Sequence, residues 1–327
     1  MMKIAVIGAG MAGLTLARAL NNRAEVTLFD KSRGVGGRLS TRRADPFAFD
    51  HGAQFFTARS KVFQAVVADL VARGAAARWD ARVVDFDGSR RGATQSWDAN
   101  NAHYVGVPGM NAIGKALAEG LNLQRQTRIE TLEAANGGWR LHDDQGRDRG
   151  RFDWVVCAAP AEQTAALMPT TFAHHAVIRE RRMQPCFALM LGFEQPLLLD
   201  FEVARFKNAA ISWMAVNSSK PGRNQATSLL VHAAHDWSAL HLEDDNHAVI
   251  TTLTQATGDL LGQDLSHAKH RAVHRWRYAI IDQQDGPPFF LDAERRLAAC
   301  GDWCIGGRVE AAFQSGHELA KAITQRL

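Results

Sequence analysis

The hydrophobic pattern changes period several times along the chain. Lys3 to Ile7 is a short β-branched run suited to a strand buried on both faces. A glycine-rich turn and a helical pattern through Leu20 follow, then a second strand from Glu25 to Phe29, closed by Asp30. Lys61 to Arg73 puts Val62, Phe63, Val66, Val67, Leu70 and Val71 on one helical face, with Gly74 as its stop. Ala77 to Val107 breaks into short strand-like pieces divided by Asp87-Gly88 and Asn100-Asn101. Pro108 to Gly120 predicts a helix carrying Met110, Ile113 and Leu117 on one side. Three strands come next, at Arg128 to Ala134, Trp139 to His142 and Phe152 to Cys157, joined by Asn136-Gly137-Gly138 and Asp143-Asp144-Gln145-Gly146. Further strands are expected at Cys186 to Phe193, Ala210 to Val216 and Ser228 to Ala233, a helix at Asn246 to Leu261, and an extended run at Arg271 to Ile281. Leu297 to Asp302 is a last short strand ending in Gly-Asp, and Val309 to Arg326 a last helix. There is no internal repeat and no low-complexity segment.

This layout predicts an α/β (α+β) protein, a parallel-sheet domain interrupted by a mainly antiparallel one. Segments 1–75, 106–165 and 282–327 are assigned to the first domain, and 76–105 and 166–281 to the second. The meander after residue 128 is not a second βαβ half, which counts against a symmetric NAD fold.

The first turn carries chemistry. Gly8-Ala9-Gly10-Met11-Ala12-Gly13 is G-x-G-x-x-G between a strand and a helix, and Asp30 stands 17 residues after the last glycine. Gly8 permits the tight turn, Gly10 lets a pyrophosphate approach the backbone, and Gly13 allows helix and strand to pack closely while the helix N-terminus faces the phosphates. Asp30 is placed to accept hydrogen bonds from an adenosine ribose. By itself this unit does not separate FAD from NAD.

Composition narrows the partners. Lys plus Arg number 38 against 34 for Asp plus Glu, a net charge of +4 spread along 327 residues, so there is no basic stripe for nucleic acid. Cys157, Cys186, Cys300 and Cys304 form no C-x-x-C pair and read as buried thiols of a reducing compartment, with no metal expected. The run Ile4 to Leu16 followed by Ala17-Arg18-Ala19 imitates a secretory leader, but three glycines break it and the next strand continues a fold. No membrane span is expected, and the location is read as cytoplasmic.

A second strand–glycine–helix junction closes the chain at Cys300-Gly301-Asp302-Trp303-Cys304-Ile305-Gly306-Gly307-Arg308. Asp302 is placed either to accept from a polyhydroxyl chain or to cap the last helix. Gly34-Val35-Gly36-Gly37-Arg38 follows Asp30 directly, and Arg38 can neutralise a pyrophosphate that the glycines admit. Two such junctions and this turn suit a long cofactor with a dinucleotide end and a redox ring, so FAD fits better than NAD.

Gly8 to Gly13, Asp30-Lys31, Gly36-Gly37-Arg38, Asp50-His51-Gly52-Ala53-Gln54-Phe55 and the closing segment to Glu310 together resemble the flavin amine oxidase superfamily. Within it they are most similar to the renalase family and its bacterial relatives. The resemblance implies a Rossmann-like FAD-binding domain of the p-hydroxybenzoate hydroxylase or amine oxidase type, with an inserted antiparallel substrate domain. It implies non-covalent FAD held by Gly8, Gly10, Met11, Ala12, Gly13, Asp30, Lys31, Gly37 and Arg38. Gln54 and Phe55 would lie near the flavin, Ile129 would hold adenine by its backbone, Asp302 would meet the ribityl chain, and Val309 would offer its N–H to the pyrimidine edge. Ala311 stands where related sequences often have glycine, and Pro108-Gly109-Met110 replaces a more usual double glycine.

The implied reaction oxidises the 2- and 6-dihydro isomers of NAD(P) to NAD(P)+, with O2 as acceptor and hydrogen peroxide as product. His232 and Trp276 would line the substrate pocket, although a strand histidine and one tryptophan among eight also suit a plain core. Lys207, Lys220 and Arg223 are expected to steer substrate phosphates. The alternative on the same scaffold is an oxidase of a small amine, or a desaturase of an apolar substrate; only two tyrosines, Tyr104 and Tyr278, are available for an aromatic cage. The sequence does not set an oligomeric state.

Overall fold

The computed structural model describes residues 1–98 and 100–327. Its first sheet has six strands in the order Asn122–Arg125, Glu25–Asp30, Lys3–Ile7, Trp154–Cys157, Leu297–Cys300 and Phe289–Asp292. The first five run parallel, and Phe289–Asp292 is an antiparallel edge. The β-branched run is at its centre: Ile4, Val6, Val155 and Val156 are fully buried, because helices cover one face and a meander the other.

On the first face lie the helices Met11–Leu20 and Val309–Thr324. They pack backbone to backbone, since a Cβ on Gly316 would fall 2.2 Å from the Ala12 carbonyl oxygen. On the other face the meander strands Ile129–Ala135, Gly138–Asp143 and Asp148–Phe152 cover Ala5, Phe29 and Val155. Phe152 meets Phe29 edge to face at 5.8 Å.

Two expectations are corrected. The single strand expected at Phe152 to Cys157 is two: Phe152 pairs with Trp139 in the meander, whereas Trp154–Cys157 joins the parallel sheet opposite Ile4 to Ile7. Asp153 makes the break, its carboxylate and its N–H both bonding the Lys3 backbone at 2.8 Å. The two pieces read as one because both are buried. The helix expected from Pro108 starts at Asn111, because the Met110 N–H is taken by Asp50 and Gly109 is pressed against Thr41.

The second sheet has eight strands: in order His270–Ile280, Gln184–Phe193, Thr227–Ala233, Ile211–Val216, Val203–Lys207, Arg82–Asp87 and Arg90–Arg91, with Gln95–Ser96 also beside Arg82–Asp87. Alternation divides its faces. Phe187, Leu189, Leu229, Val231 and Met214 form one face, buried under the helix Asn246–Leu261. That helix is capped by Asp245, which accepts from His247 and Ala248, and ends in left-handed Gly262. The opposite face bears Trp213, His232, Ala188, His274 and Trp276, with Trp213 beside His232 and Ala188 between the two histidines.

Candidate functional site

Each glycine of the first turn has a distinct environment. Gly8 has φ of +107°, and a Cβ on Gly13 would lie 2.0 Å from the Gly8 carbonyl oxygen. A Cβ on Gly10 would meet nothing within 4 Å. Gly10 precedes a helix with no side-chain cap and no acidic residue in its first turn, so its first N–H groups have no intrahelical acceptor. Met11, Ala12 and Gly13 supply that turn. The last helix also lacks a side-chain cap, at Arg308 before Val309, although its first turn carries Glu310. Both helices start beyond the carboxyl ends of the parallel strands, on one edge of the sheet, where open α/β sheets bind ligands.

Asp30 turns one oxygen to the Ala9 N–H at 2.7 Å and the other to the Ser32 N–H at 2.7 Å. Thr127 donates its N–H to the Asp30 carbonyl, and Gln126 to that of Ser32, which brings the approach to Ile129 beside Asp30. Lys31 Nζ bonds Gln163 at 3.2 Å. Gly36 donates its N–H to the Ala9 carbonyl at 2.8 Å, so the Gly36-Gly37-Arg38 turn lies against the first motif. A Cβ on Gly37 would stand 3.5 Å from the Gly10 Cα.

Arg38 and Asp302, 264 residues apart, form a two-pronged ion pair with Nη–Oδ distances of 2.8 and 2.5 Å. Arg38 also donates to the Ala279 carbonyl at 2.8 Å. The structure therefore directs the Arg38 fork at Asp302, not at the helix N-terminus. Nor does Asp302 cap the last helix. The pair joins the two glycine junctions instead. Beside it, Gly307 bonds the Ile281 carbonyl and has no room for a side chain, its Cβ site being 2.1 Å from Ile280.

The segment Asp50 to Phe55 separates this edge from the second sheet. Ala53 donates to the Arg38 carbonyl at 2.9 Å, and a Cβ on Gly52 would overlap that oxygen at 1.9 Å. Asp50 is fully buried. Its carboxylate accepts from Thr41 Oγ1 at 2.7 Å, from the Met110 N–H at 2.9 Å, from Lys220 Nζ at 3.3 Å and from Arg223. Lys220 and Arg223 hold it well below the usual carboxylate range despite its burial. This corrects the phosphate-steering expectation: the Lys220 and Arg223 side chains are 0% and 1% exposed, so neither can meet a substrate in solution. Lys207 ends the strand Val203–Lys207, which is paired on both sides within the second sheet, and its carbonyl accepts from Gly88. Gln54 is buried, donating to the Asp50 and Gly52 carbonyls and accepting from Lys220.

Across from this segment, His232 and Trp276 stand on the inner face of the second sheet. Trp276 donates its indole N–H to the His51 carbonyl at 2.7 Å, and the His51 ring stacks on it at 5.4 Å and 18°. His274 meets both edge-on, at 4.8 Å from His51 and 4.3 Å from Trp276. Burial pushes the imidazoles of His51 and His274 down to about 4 and that of His232 to about 3, so all three are neutral at pH 7. Among the described residues, His232 Nε2 and His51 Nδ1 are buried without a hydrogen-bond partner. Phe55 packs among Trp97, His103 and Trp213 at 5.1, 4.7 and 5.5 Å.

Sequence reading missed His51, His274 and Trp213 as members of this wall, and Asp50 as the anchor of two buried cations. Strand alternation could have paired His274 with Trp276 once the extended run was recognised. Nothing local foretells that Lys220 and Arg223 converge on a carboxylate 170 and 173 residues away.

A profile described as an NAD(P)-binding Rossmann-like domain matches residues 6–70, and one described as flavin containing amine oxidoreductase matches residues 75–324. A stretch of 52 residues is 50% identical to 4,4'-diapophytoene desaturase (4,4'-diaponeurosporene-forming) of Staphylococcus aureus (strain Newman), covering 16% of this chain and 10% of that protein. The chain thus matches about a tenth of the length of its curated relatives. Among solved structures, a putative protoporphyrinogen oxidase from Exiguobacterium sp. 255-15 superposes with a TM-score of 0.82 at 13% identity, covering 100% of this chain and 99% of that one. A redesigned putrescine oxidase gives 0.76 at 13% identity, with coverage of 100% and 99%. The wild-type enzyme bound to putrescine gives 0.69 at 12% identity, with 99% of each chain covered. At these identities the likeness is one of fold. Among the described residues, no helix is long and apolar enough to cross a membrane.

Proposed function

The chain belongs to the flavin containing amine oxidoreductase family, a membership that carries a flavin cofactor, and from it we propose a non-covalent FAD oxidase of isomeric dihydronicotinamide dinucleotides, similar to renalases. The fit to FAD rests on the cradle: open space over Gly10, two uncapped helix N-termini on one sheet edge, and Asp30 at the far strand. Gly8, Gly10, Met11, Ala12, Gly13 and Gly37 would hold the pyrophosphate, Asp30 and Lys31 the ribose side, and the backbone of Ile129 the adenine. Arg38 would steady the Asp302 carboxylate, leaving Asp302 to meet the ribityl chain from its second lone pairs. Val309 would present its N–H to the ring's pyrimidine edge. All four cysteines are buried, which favours non-covalent binding.

The observation that carries the choice of substrate is the wall of neutral rings formed by His51, His232, His274 and Trp276. An ammonium substrate needs an anion or a base that takes protons near neutral pH, whereas the imidazoles of this wall carry no negative charge and, held near 3 and 4, are weak bases. A flat, electron-rich dihydronicotinamide needs only to be held face to face with its acceptor. When bound, the flavin would take the hydride at N5 and pass two electrons to O2, giving hydrogen peroxide and NAD(P)+. His232 and Trp276 act in this reading by orienting the ring and excluding water, with the Trp276 plane fixed by its bond to His51.

A second reading, an amine oxidase or desaturase, is favoured by the cluster of Phe55, Trp97, His103 and Trp213, which could enclose a small amine or an apolar chain. Anaerobic mixing separates the two. The 2- or 6-dihydro isomers of NAD(P) should bleach the flavin rapidly while ordinary NADH does so poorly. Bleaching by mono- or polyamines, with no response to the isomers, refutes the first reading and supports the second.

A further inference from the structure

The Asp50 cluster holds two buried cations on one buried anion. Asp50 already accepts from Arg223, Thr41 and the Met110 N–H, so Lys220 is not needed to satisfy it. One positive charge is therefore left over in the interior, where an uncompensated ion is costly. Lys220 Nζ lies 3.3 Å from Asp50 Oδ2, 3.2 Å from Gln54 Oε1 and 5.2 Å from the Trp79 ring centroid. Its contact with Gln54 has a direction. It turns the amide oxygen to the ammonium and the Gln54 NH2 to the Asp50 and Gly52 carbonyls, at 2.5 and 3.0 Å. Gly52 and Ala53 in turn press on the Arg38 backbone, next to the Gly37–Gly10 contact.

We propose that Lys220 is a positioning residue that fixes the Gln54 amide and lends the flavin site a buried positive charge, raising the cofactor's affinity for electrons. The proposal rests on the flavin reading above, which puts the ring beside Gln54. Reduction adds negative charge to the ring, and a cation in a low-dielectric interior favours that state. The groups facing Lys220 are Asp50, Arg223 and, from the next strand, His232. Of these, Asp50 stays ionised and His232 stays neutral across the neutral to mildly alkaline range. Lys220 alone changes. Burial, with help from Arg223, pushes its ammonium down to about 8. Just above that pH, reduction of the ring should draw one extra proton onto Lys220.

The test is the two-electron midpoint potential of the FAD-loaded protein, followed by absorbance from pH 6.5 to 9.5. Lys220→Met leaves the Asp50–Arg223 pair neutral and should shift the reduced-to-oxidised ratio about tenfold toward oxidised at pH 7, ~30 mV for a two-electron couple. Lys220→Arg should restore most of it. The native protein should show a steeper fall of potential above about pH 8, absent in Lys220→Met. Should Lys220→Met fail to fold, that break in the native profile decides. FAD-loaded protein with no break there, or a folded Lys220→Met with the native midpoint, overturns the inference alone. A native protein that cannot hold FAD overturns both the inference and the reading beneath it.

Discussion

Gly10→Ala and Gly13→Ala put the same methyl group on neighbouring turns of one motif, and the structure predicts opposite consequences. At Gly13 the new Cβ would sit 2.0 Å from the Gly8 carbonyl oxygen and 3.2 Å from the Ala158 Cβ. Ordinary contact needs about 1 Å more, so the helix Met11–Leu20 must retreat from the sheet, and overpacking of this kind costs ~1–3 kcal/mol or more. At Gly10 the backbone is extended, with φ of −80° and ψ of −176°, and the Cβ meets nothing. The fold should change by no more than ~1 kcal/mol there, the scale of an N-cap exchange. What the methyl does occupy is the approach to the uncapped N–H groups, where a phosphate must come to hydrogen-bond distance. An affinity loss of about 10–100-fold for FAD, or ~1.4–2.8 kcal/mol, follows from pushing it back. Urea unfolding of both variants without FAD, together with FAD titration by fluorescence, makes the comparison. Native FAD affinity in Gly10→Ala would refute the placement of the pyrophosphate over Gly10, and native stability in Gly13→Ala would refute the packing argument.

Asp50→Ala should be far more damaging than Lys220→Met, because it strands two buried cations; a loss of ~3–5 kcal/mol is expected in urea unfolding, and an effect under about 1 kcal/mol would contradict the cluster. Stability should also fall with acid earlier than carboxylates require. Unfolded imidazoles take protons near 6.5, whereas folded His51 and His274 do so near 4 and His232 near 3, so the unfolded state gains protons first as pH drops through that window. His232→Gln should flatten the dependence of the urea midpoint on pH between 6.5 and 4, and an unchanged slope would count against a neutral buried His232. The four thiols should resist a disulfide reagent until the protein unfolds, since all are buried and burial pushes Cys186 and Cys304 up to about 12. Trp276→Phe, which keeps a ring but loses the bond to His51, should raise KM for the ring substrate more than it lowers kcat; the reverse pattern would give Trp276 a part in the chemical step.

The cradle was legible because its determinants are local. A strand, a turn that only glycine can make and a helix occupy adjacent residues, so spacing alone places Gly8, Gly10 and Gly13 in their separate tasks. The strand break at Asp153 was not legible, since residues buried in two different sheets carry the same apolar signal. The Asp50 cluster fails for the opposite reason. Lys220 and Arg223 lie in a polar, Pro- and Gly-containing turn that reads as surface, and only the closure of one sheet over the other buries them.

The pairing of Arg38 with Asp302 alters how the two ends of the chain depend on each other. Had Arg38 faced the helix N-terminus, the first motif would be self-contained, and the closing segment would be an addition to it. With its fork on Asp302, 5% exposed in its side chain, neither junction is electrostatically complete without the other. Breaking the pair from one side leaves the partner's charge behind in a partly buried place, which costs more than removing both. Arg38→Met and Asp302→Asn should therefore each weaken FAD binding and lower stability, while the double variant should lose less than the sum of the two. Strict additivity in that double-mutant cycle would mean that the two residues serve the cofactor separately.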